Sequence, residues 1–420
     1  MKKEFVIFSV LIGLVFLVGC TDVPVDNPTD NPTNVIVDDS EATSEGVSAV
    51  VNGNNEFAFD VYSKFKDQGE NLFFSPWSIS SALAMTYEGA RGTTADEMKK
   101  VLHFSDSSLM RPGFAKIQNQ INAEEKSYLL STANALWAQK NYSFLSEYFG
   151  LIDSYYGGKV TNLDFAGETE KSRVTINSWV EEKTNNKIKD LIPQGLITQD
   201  TALVLTNAIY FKGNWLTQFK KENTREQDFE VSADETVSVE MMHAFGDDYE
   251  FKYAKTEKLQ ILELPYLDEE LSMLVLLPKK GELSSLESNL NVQNFEDWKN
   301  NLHKQEVNVY LPKFKFETKY FLTGALQEMG MPTAFSNQAN FSGMTGREEL
   351  YISAVIHQAF VEVNEEGTEA AAATAVVMDI KSMRPKEIPE FKANHPFIFI
   401  IQENETGSIL FIGRVDNPTA

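Results

Sequence analysis

Glu365-Glu366-Gly367-Thr368-Glu369-Ala370-Ala371-Ala372-Ala373-Thr374-Ala375-Val376-Val377-Met378-Asp379-Ile380-Lys381-Ser382-Met383-Arg384-Pro385-Lys386 can be read in two ways. Its alanines favour a surface helix starting near Thr368 on intrinsic propensity. Its second half, Thr374 to Met378, favours a strand. Read with period two, Thr368, Ala370, Ala372, Thr374, Val376 and Met378 form one small or apolar face, while Glu369 and Asp379 share the other. Gly367 gives the backbone freedom to turn at the start, and the strand reading meets no interior Gly or Pro. On that reading the segment is a loop able to become a strand of a sheet.

Outward from this run, the remaining strand-like segments are short, apolar and rich in Val, Ile, Phe or Tyr: Leu203 to Phe211, Leu271 to Leu277, Val307 to Leu311, Phe397 to Ile401 and Ile409 to Ile412. Phe57, Val61 and Phe65 at four-residue spacing predict a first helix. Pro76 suits the first turn of a second helix running through Leu83 and Met85. Thr318 to Met329 carries a helical period and stops at Gly330. Helices and strands do not alternate strictly, which predicts an α+β fold with mainly antiparallel sheets.

The N-terminus has a different character. Lys2 and Lys3 precede an apolar run from Phe5 to Val18, the order of an export signal. Leu17-Val18-Gly19-Cys20, ending in the chain's only cysteine, looks like the site at which bacterial lipoprotein signals are lipidated and cleaved. The alternative is an uncleaved signal anchor, its apolar run somewhat short of the roughly 20 residues that span a bilayer. Thr21 to about Ser48 is rich in Asp, Asn, Pro, Thr and Ser and cannot form a core. The expected organisation is a signal peptide over 1–19, a lipidated Cys20 with a disordered spacer over 20–50, and one large domain over 51–420. The body would be exported and held at the cell envelope or cell surface, or released outside the cell, and would be stable without a disulfide.

The chain has 420 residues, 42% of them hydrophobic, enough for a large core. Its 37 basic and 61 acidic residues give a net charge of −24, which repels phosphate backbones and argues against nucleic-acid binding and against a heparin-like activator. The five histidines, at 103, 243, 303, 357 and 395, show no metal-ligand spacing, and no metal or other cofactor is expected. Neither a Gly-x-Ser-x-Gly elbow nor a phosphate loop occurs, which disfavours those enzyme classes. A triad assembled from distant residues stays open, because triads are recognised by geometry.

A series of motifs, in order, resembles the serpin family. Phe74-Ser75-Pro76-Trp77-Ser78-Ile79-Ser80-Ser81-Ala82-Leu83-Ala84-Met85 is followed by Gly89-Ala90-Arg91-Gly92-Thr93-Thr94 and Ile176-Asn177-Ser178-Trp179-Val180. Leu205-Thr206-Asn207-Ala208-Ile209-Tyr210-Phe211-Lys212-Gly213-Asn214-Trp215, Leu264-Pro265-Tyr266 and Leu311-Pro312-Lys313-Phe314 come next. Phe341-Ser342-Gly343-Met344 and Phe391-Lys392-Ala393-Asn394-His395-Pro396-Phe397 complete the set, so the resemblance runs from about residue 50 to the C-terminus.

The resemblance implies a large central, mainly antiparallel β-sheet with further sheets, about nine helices and an exposed reactive-centre loop over about 365–390. It implies a monomeric suicide-substrate inhibitor, not an enzyme, whose cleaved loop enters the sheet with the acylated protease attached. Counted along the loop, Lys381 becomes the bait and Ser382 the leaving side, with Ile380 or Arg384 as the bait if the count slips. A lysine bait selects trypsin-like serine proteases or a lysine-directed cysteine protease. Glu365, Glu366, Gly367, Thr368, Glu369, Ala370, Ala371, Ala372 and Ala373 match the hinge. Ser75, Ser78, Asn207 and His357 match a polar gating cluster under the sheet, and Trp215 and Lys313 match the point where insertion begins, with a Lys313 to Glu365 ion pair. The alternative is a binding protein of the same fold that is cleaved as a plain substrate.

Overall fold

In the computed structural model the described residues are 36–68, 71–123, 126–246, 249–368 and 388–420. Thr43 accepts the Gly46 amide on its side chain and so starts helix α1 (Ser44–Phe65), which buries Phe57, Val61 and Phe65. Strand β1 (Leu72–Phe74) leads to Ser75, whose side chain caps α2 (Pro76–Gly89) at the Ser78 amide. Pro76 occupies the first turn, where no amide is needed. Then come α3 (Gly92–Val101), α4 (Ser107–Ile121), β2 (Tyr128–Gln139), α5 (Ser146–Tyr155), β3 (Lys159–Leu163) and α6 (Thr169–Lys183).

The strand-rich half begins with β4 (Leu203–Asn214), β5 (Arg225–Glu230) and β6 (Thr236–Ala244). It continues through β7 (Glu250–Lys255), β8 (Leu259–Pro265) and β9 (Leu271–Pro278). Helices α7 (Leu283–Ser288) and α8 (Val292–Lys299) precede β10 (His303–Glu306), β11 (Asn308–Pro312) and β12 (Phe314–Phe321). Helices α9 (Thr323–Met329) and α10 (Ser342–Thr345) lead to β13 (Ile352–Val363) and the two-residue β14 (Gly367–Thr368). The chain ends with β15 (Glu390–Lys392), β16 (Phe397–Glu403) and β17 (Ile409–Val415).

These strands form three sheets. A seven-stranded antiparallel sheet has the order β1-β17-β16-β9-β8-β7-β10, and a four-stranded sheet has the order β15-β11-β6-β5. The third, six-stranded sheet has the order β12-β13-β14-β4-β2-β3, with β13 also paired directly to β4. Its inner face joins the main core with α1, α2 and the seven-stranded sheet. Its outer face, through Ala133, Trp137, Val204, Ala208 and Ile356, forms a second core with Ile176 and Val180 of α6. Burial on both faces explains why Leu203 to Phe211 is apolar at every position but Thr206 and Asn207.

All five strand-like segments read from the sequence are strands, and the fold is the expected α+β, with ten α-helices among the described residues. Two expectations are corrected. Thr318 to Met329 is not one helix: Thr318 to Phe321 belongs to β12, paired to β13, and only Thr323–Met329 is helical before Gly330, whose φ is +122°. The edge of a sheet overrode the helical period there. The disordered spacer expected over 20–50 does not hold for its described part, residues 36–50. From Ile36 the chain lies on the body, because Val37 is buried and Thr43 caps α1.

Candidate functional site

β13 and β4 run parallel and paired from Ile352 opposite Leu203 to Phe360 opposite Tyr210. Beyond that point β14 lies between them, with Thr368 opposite Val363 on one side and opposite Gly213 on the other, and Gly367 opposite Asn214. Gly367 and Thr368 therefore already occupy the top of the gap. The chain reverses between β13 and β14 on Asn364, whose Oδ1 accepts the Glu366 amide at 3.0 Å and the Gly367 amide at 3.3 Å. Asn364 N in turn donates to Gly367 O at 2.9 Å.

Only glycine fits at 367. A Cβ there would lie 2.0 Å from Gly213 O, and φ is +154°. Gly213 is confined in its turn, since its own Cβ would sit 2.9 Å from Phe211 and Tyr266 ring carbons.

Aromatic side chains line this opening. Trp215 stacks on Tyr266 with ring centroids 4.6 Å apart, donates Nε1–H to Asn364 O at 3.0 Å and its amide to Glu366 O at 2.8 Å. Tyr266 Oη lies 2.8 Å from Thr368 Oγ1, and both residues are buried. The two glutamates are held separately. Glu365 accepts from the Thr224 hydroxyl at 2.8 Å, and its Oε2 is 3.5 Å from Lys313 Nζ, which also pairs with Glu240 at 3.1 Å. Burial pushes the Glu365 carboxyl up, but its own amide, Thr224 and Lys313 together hold it below the ordinary value. Glu366 pairs with Lys221.

Below the opening, the polar residues expected as a cluster meet. Tyr320, His357, Asn207 and Asn134 lie side by side across β12, β13, β4 and β2. His357 Nδ1 bonds Asn207 Oδ1, and its Nε2 accepts the Ser75 amide at 3.1 Å. Because Nε2 accepts from a backbone N–H, the ring is neutral with its proton on Nδ1. Full burial pushes its pKa down to about 3, the Asn207 bond opposing. Asn207 Nδ2 donates to Ser78 Oγ and to Asn134 Oδ1, and Ser78 Oγ donates to Asn134 Oδ1 at 3.2 Å. Ser75 Oγ caps α2 and donates to Leu410 O at 2.6 Å. The His357–Asn207 bond thus crosses the β13/β4 pair that would part if β14 grew longer.

Of the residues singled out in the sequence, the opening holds Glu365, Glu366, Gly367, Thr368, Trp215 and Lys313, and the cluster holds Ser75, Ser78, Asn207 and His357. Cys20, Glu369, Ala370, Ala371, Ala372, Ala373, Lys381 and Ser382 lie outside the described residues. Sequence reasoning missed Asn134, Thr224 and Lys221, and placed Tyr266 only within a family motif, without a role. Asn134 left a trace, as a polar residue inside the apolar run of β2. Lys221 and Thr224 left none, because their partners are about 140 residues away along the chain.

The family model described as Serpin (serine protease inhibitor) matches residues 52–418. An uncharacterized serpin-like protein of Methanosarcina acetivorans is 42% identical, over 99% of this chain and 98% of its own length. Leukocyte elastase inhibitor of Xenopus tropicalis is 41% identical, over 86% and 97% respectively. The crystal structure of human thyroxine-binding globulin complexed with thyroxine superimposes with a TM-score of 0.81 at 30% identity, covering 89% of this chain and all of that one. The chain belongs to the serpin family. Members of that family act as inhibitors or binding proteins rather than as enzymes.

Proposed function

We propose that this serpin is a suicide-substrate inhibitor of extracytoplasmic trypsin-like proteases, tethered to a membrane by a lipid on Cys20. Lys381 is the bait, read by a trypsin-like pocket or by a lysine-directed cysteine protease. The protease's nucleophilic oxygen or sulfur adds to the Lys381 carbonyl, the Lys381–Ser382 bond breaks, and the Ser382 amine leaves with a proton, giving an acyl-enzyme. Insertion of the freed hinge then carries the acylated protease away. About sixteen strand residues at roughly 3.3 Å each displace it by about 50 Å.

The observation that supports this reading is β14. Thr368 already pairs with strands on both sides and Gly367 with β4, so the hinge has a nucleus from which to extend. Membership of a family of serine protease inhibitors points the same way. Mixing the chain with trypsin tests it: an SDS-stable conjugate is the expected outcome, whereas clean loop cleavage with trypsin still active would refute it. The second reading, ligand carriage by a loop that is merely cut, draws on the likeness to thyroxine-binding globulin, and that second outcome would favour it.

A further inference from the structure

Just before α1, the chain crosses two helices that belong to different parts of the molecule. Val37 is 4% exposed, and Asn119 of α4 grips its backbone from both ends. The Val37 amide donates to Asn119 Oδ1 at 2.9 Å, and Asn119 Nδ2 donates to Val37 O at 2.8 Å. The next amide, Asp38 N, donates to Ser154 O of α5 at 2.6 Å. Asp39 pairs with Lys116 of α4 at 3.3 Å, and Ile36, the first described residue, is 82% exposed. These residues precede the span matched by the family model.

The two gripped helices stand on opposite sides of a mechanical divide. α4 packs on α1 through glycines, since a Cβ on Gly113 would lie 2.8 Å from Gly46 O. α1 is fixed to the seven-stranded sheet by Asn54, which donates to Ile409 O, and by Asn55, which accepts the Ile409 amide, each at 2.9 Å. α5, by contrast, is the link between β2 and β3, the outer strands beyond β4. Lengthening β14 would part β4 from β13 by about one strand spacing, roughly 4.8 Å, and β2, β3 and α5 must travel with β4. Tyr148 and Tyr156 hold α5 to α2 through Met85 O and Glu88. The clasp adds a hold at Ser154.

We propose that Val37–Asp39 is a clasp between α4 and α5 that slows opening of the six-stranded sheet. The proposal rests on the loop-insertion reading above. A synthetic peptide with the sequence Thr368 to Met378, fluorescently labelled and added to the uncleaved full chain, measures sheet opening without any protease. Asn119→Ala removes both hydrogen bonds to Val37, and Val37→Asp expels the buried side chain. Each is expected to take up the peptide about threefold to tenfold faster, the effect of one or two lost weak interactions, while Lys116→Ala, which cuts only an exposed ion pair, leaves the rate unchanged. Equal rates in Asn119→Ala and the unaltered chain would overturn the clasp alone. Uptake by none of the chains would overturn the clasp and loop insertion together. Should Val37→Asp fail to fold, as judged by circular dichroism, Asn119→Ala decides.

Discussion

Thr368 Oγ1 lies 2.8 Å from Tyr266 Oη in a site closed to solvent, so Thr368 is already hydrogen-bonded as a member of the sheet. Burial pushes the Tyr266 phenol well above its ordinary value, and it stays protonated and able to donate. Tyr266→Phe leaves the Thr368 hydroxyl buried without this partner, at an expected cost of about 1 to 3 kcal/mol. Adding Thr368→Val removes the orphaned hydroxyl and should recover most of that loss. Denaturant unfolding of the two single variants and the double variant measures the coupling.

Thr368→Arg tests the hinge as a moving part. A guanidinium would have to be desolvated where Thr368 now sits at 1% exposure, a cost of several kcal/mol. The expected result is a chain that trypsin cuts without being trapped, seen as loss of the SDS-stable band. Undiminished trapping would refute the insertion mechanism.

Gly367→Ala acts through the backbone, because its Cβ would meet Gly213 O at 2.0 Å. The hinge should withdraw from the gap and pull Asn364 and Glu366 away from Trp215. The expected readouts are faster hydrogen exchange at the Thr368 amide and a change in the fluorescence of Trp215. Unaltered exchange at Thr368 would show that the opening can accommodate the methyl group.

Two histidines give stability opposite pH dependences. For His357, burial lowers the folded pKa from 6.5 to about 3, so its contribution is complete above pH 6.5 and is lost as pH falls toward 3. His103 donates to Asp60 and pairs with Glu56, which raises its folded pKa, so its contribution is complete below 6.5 and is lost as pH rises through the raised value. His357→Gln should flatten the acid limb of a stability-against-pH curve, and His103→Gln the neutral limb. Urea unfolding between pH 4 and pH 9 checks both.

The bait is tested by Lys381→Ala, which should abolish conjugate formation with trypsin. Mass spectrometry of the released C-terminal fragment reads the cut directly. A fragment beginning at Ser382 agrees with the Lys381 bait, and one beginning at Pro385 would move the bait to Arg384.

Much of the site was legible because it is built from local motifs. Ser75-Pro76 announces a capped helix, and the cap alone places Ser75 and Ser78 one turn apart. Leu203 to Phe211 announces a strand buried on both faces, and it carries Asn207 into the interior. The helical period across Thr318 to Phe321 misled, because a chain pairing with β13 gains a ladder of hydrogen bonds that no local pattern reveals. The acidic, Pro-rich composition before Ser48 likewise hid Val37, since one buried side chain and one receptive asparagine suffice to dock a polar segment.

The order of residues alone supplies the inventory: a protein of the serpin family, its antiparallel strands, a hinge with one small face, and the glycine that lets it turn. Folding of the whole chain is what stands Gly367 and Thr368 between β13 and β4, brings Tyr266 to Thr368, and keeps His357 neutral. The physical reason is distance along the chain. Thr368 and Tyr266 are 102 residues apart, and His357 and Asn207 are 150, so their meeting depends on the closure of the whole sheet rather than on any local preference.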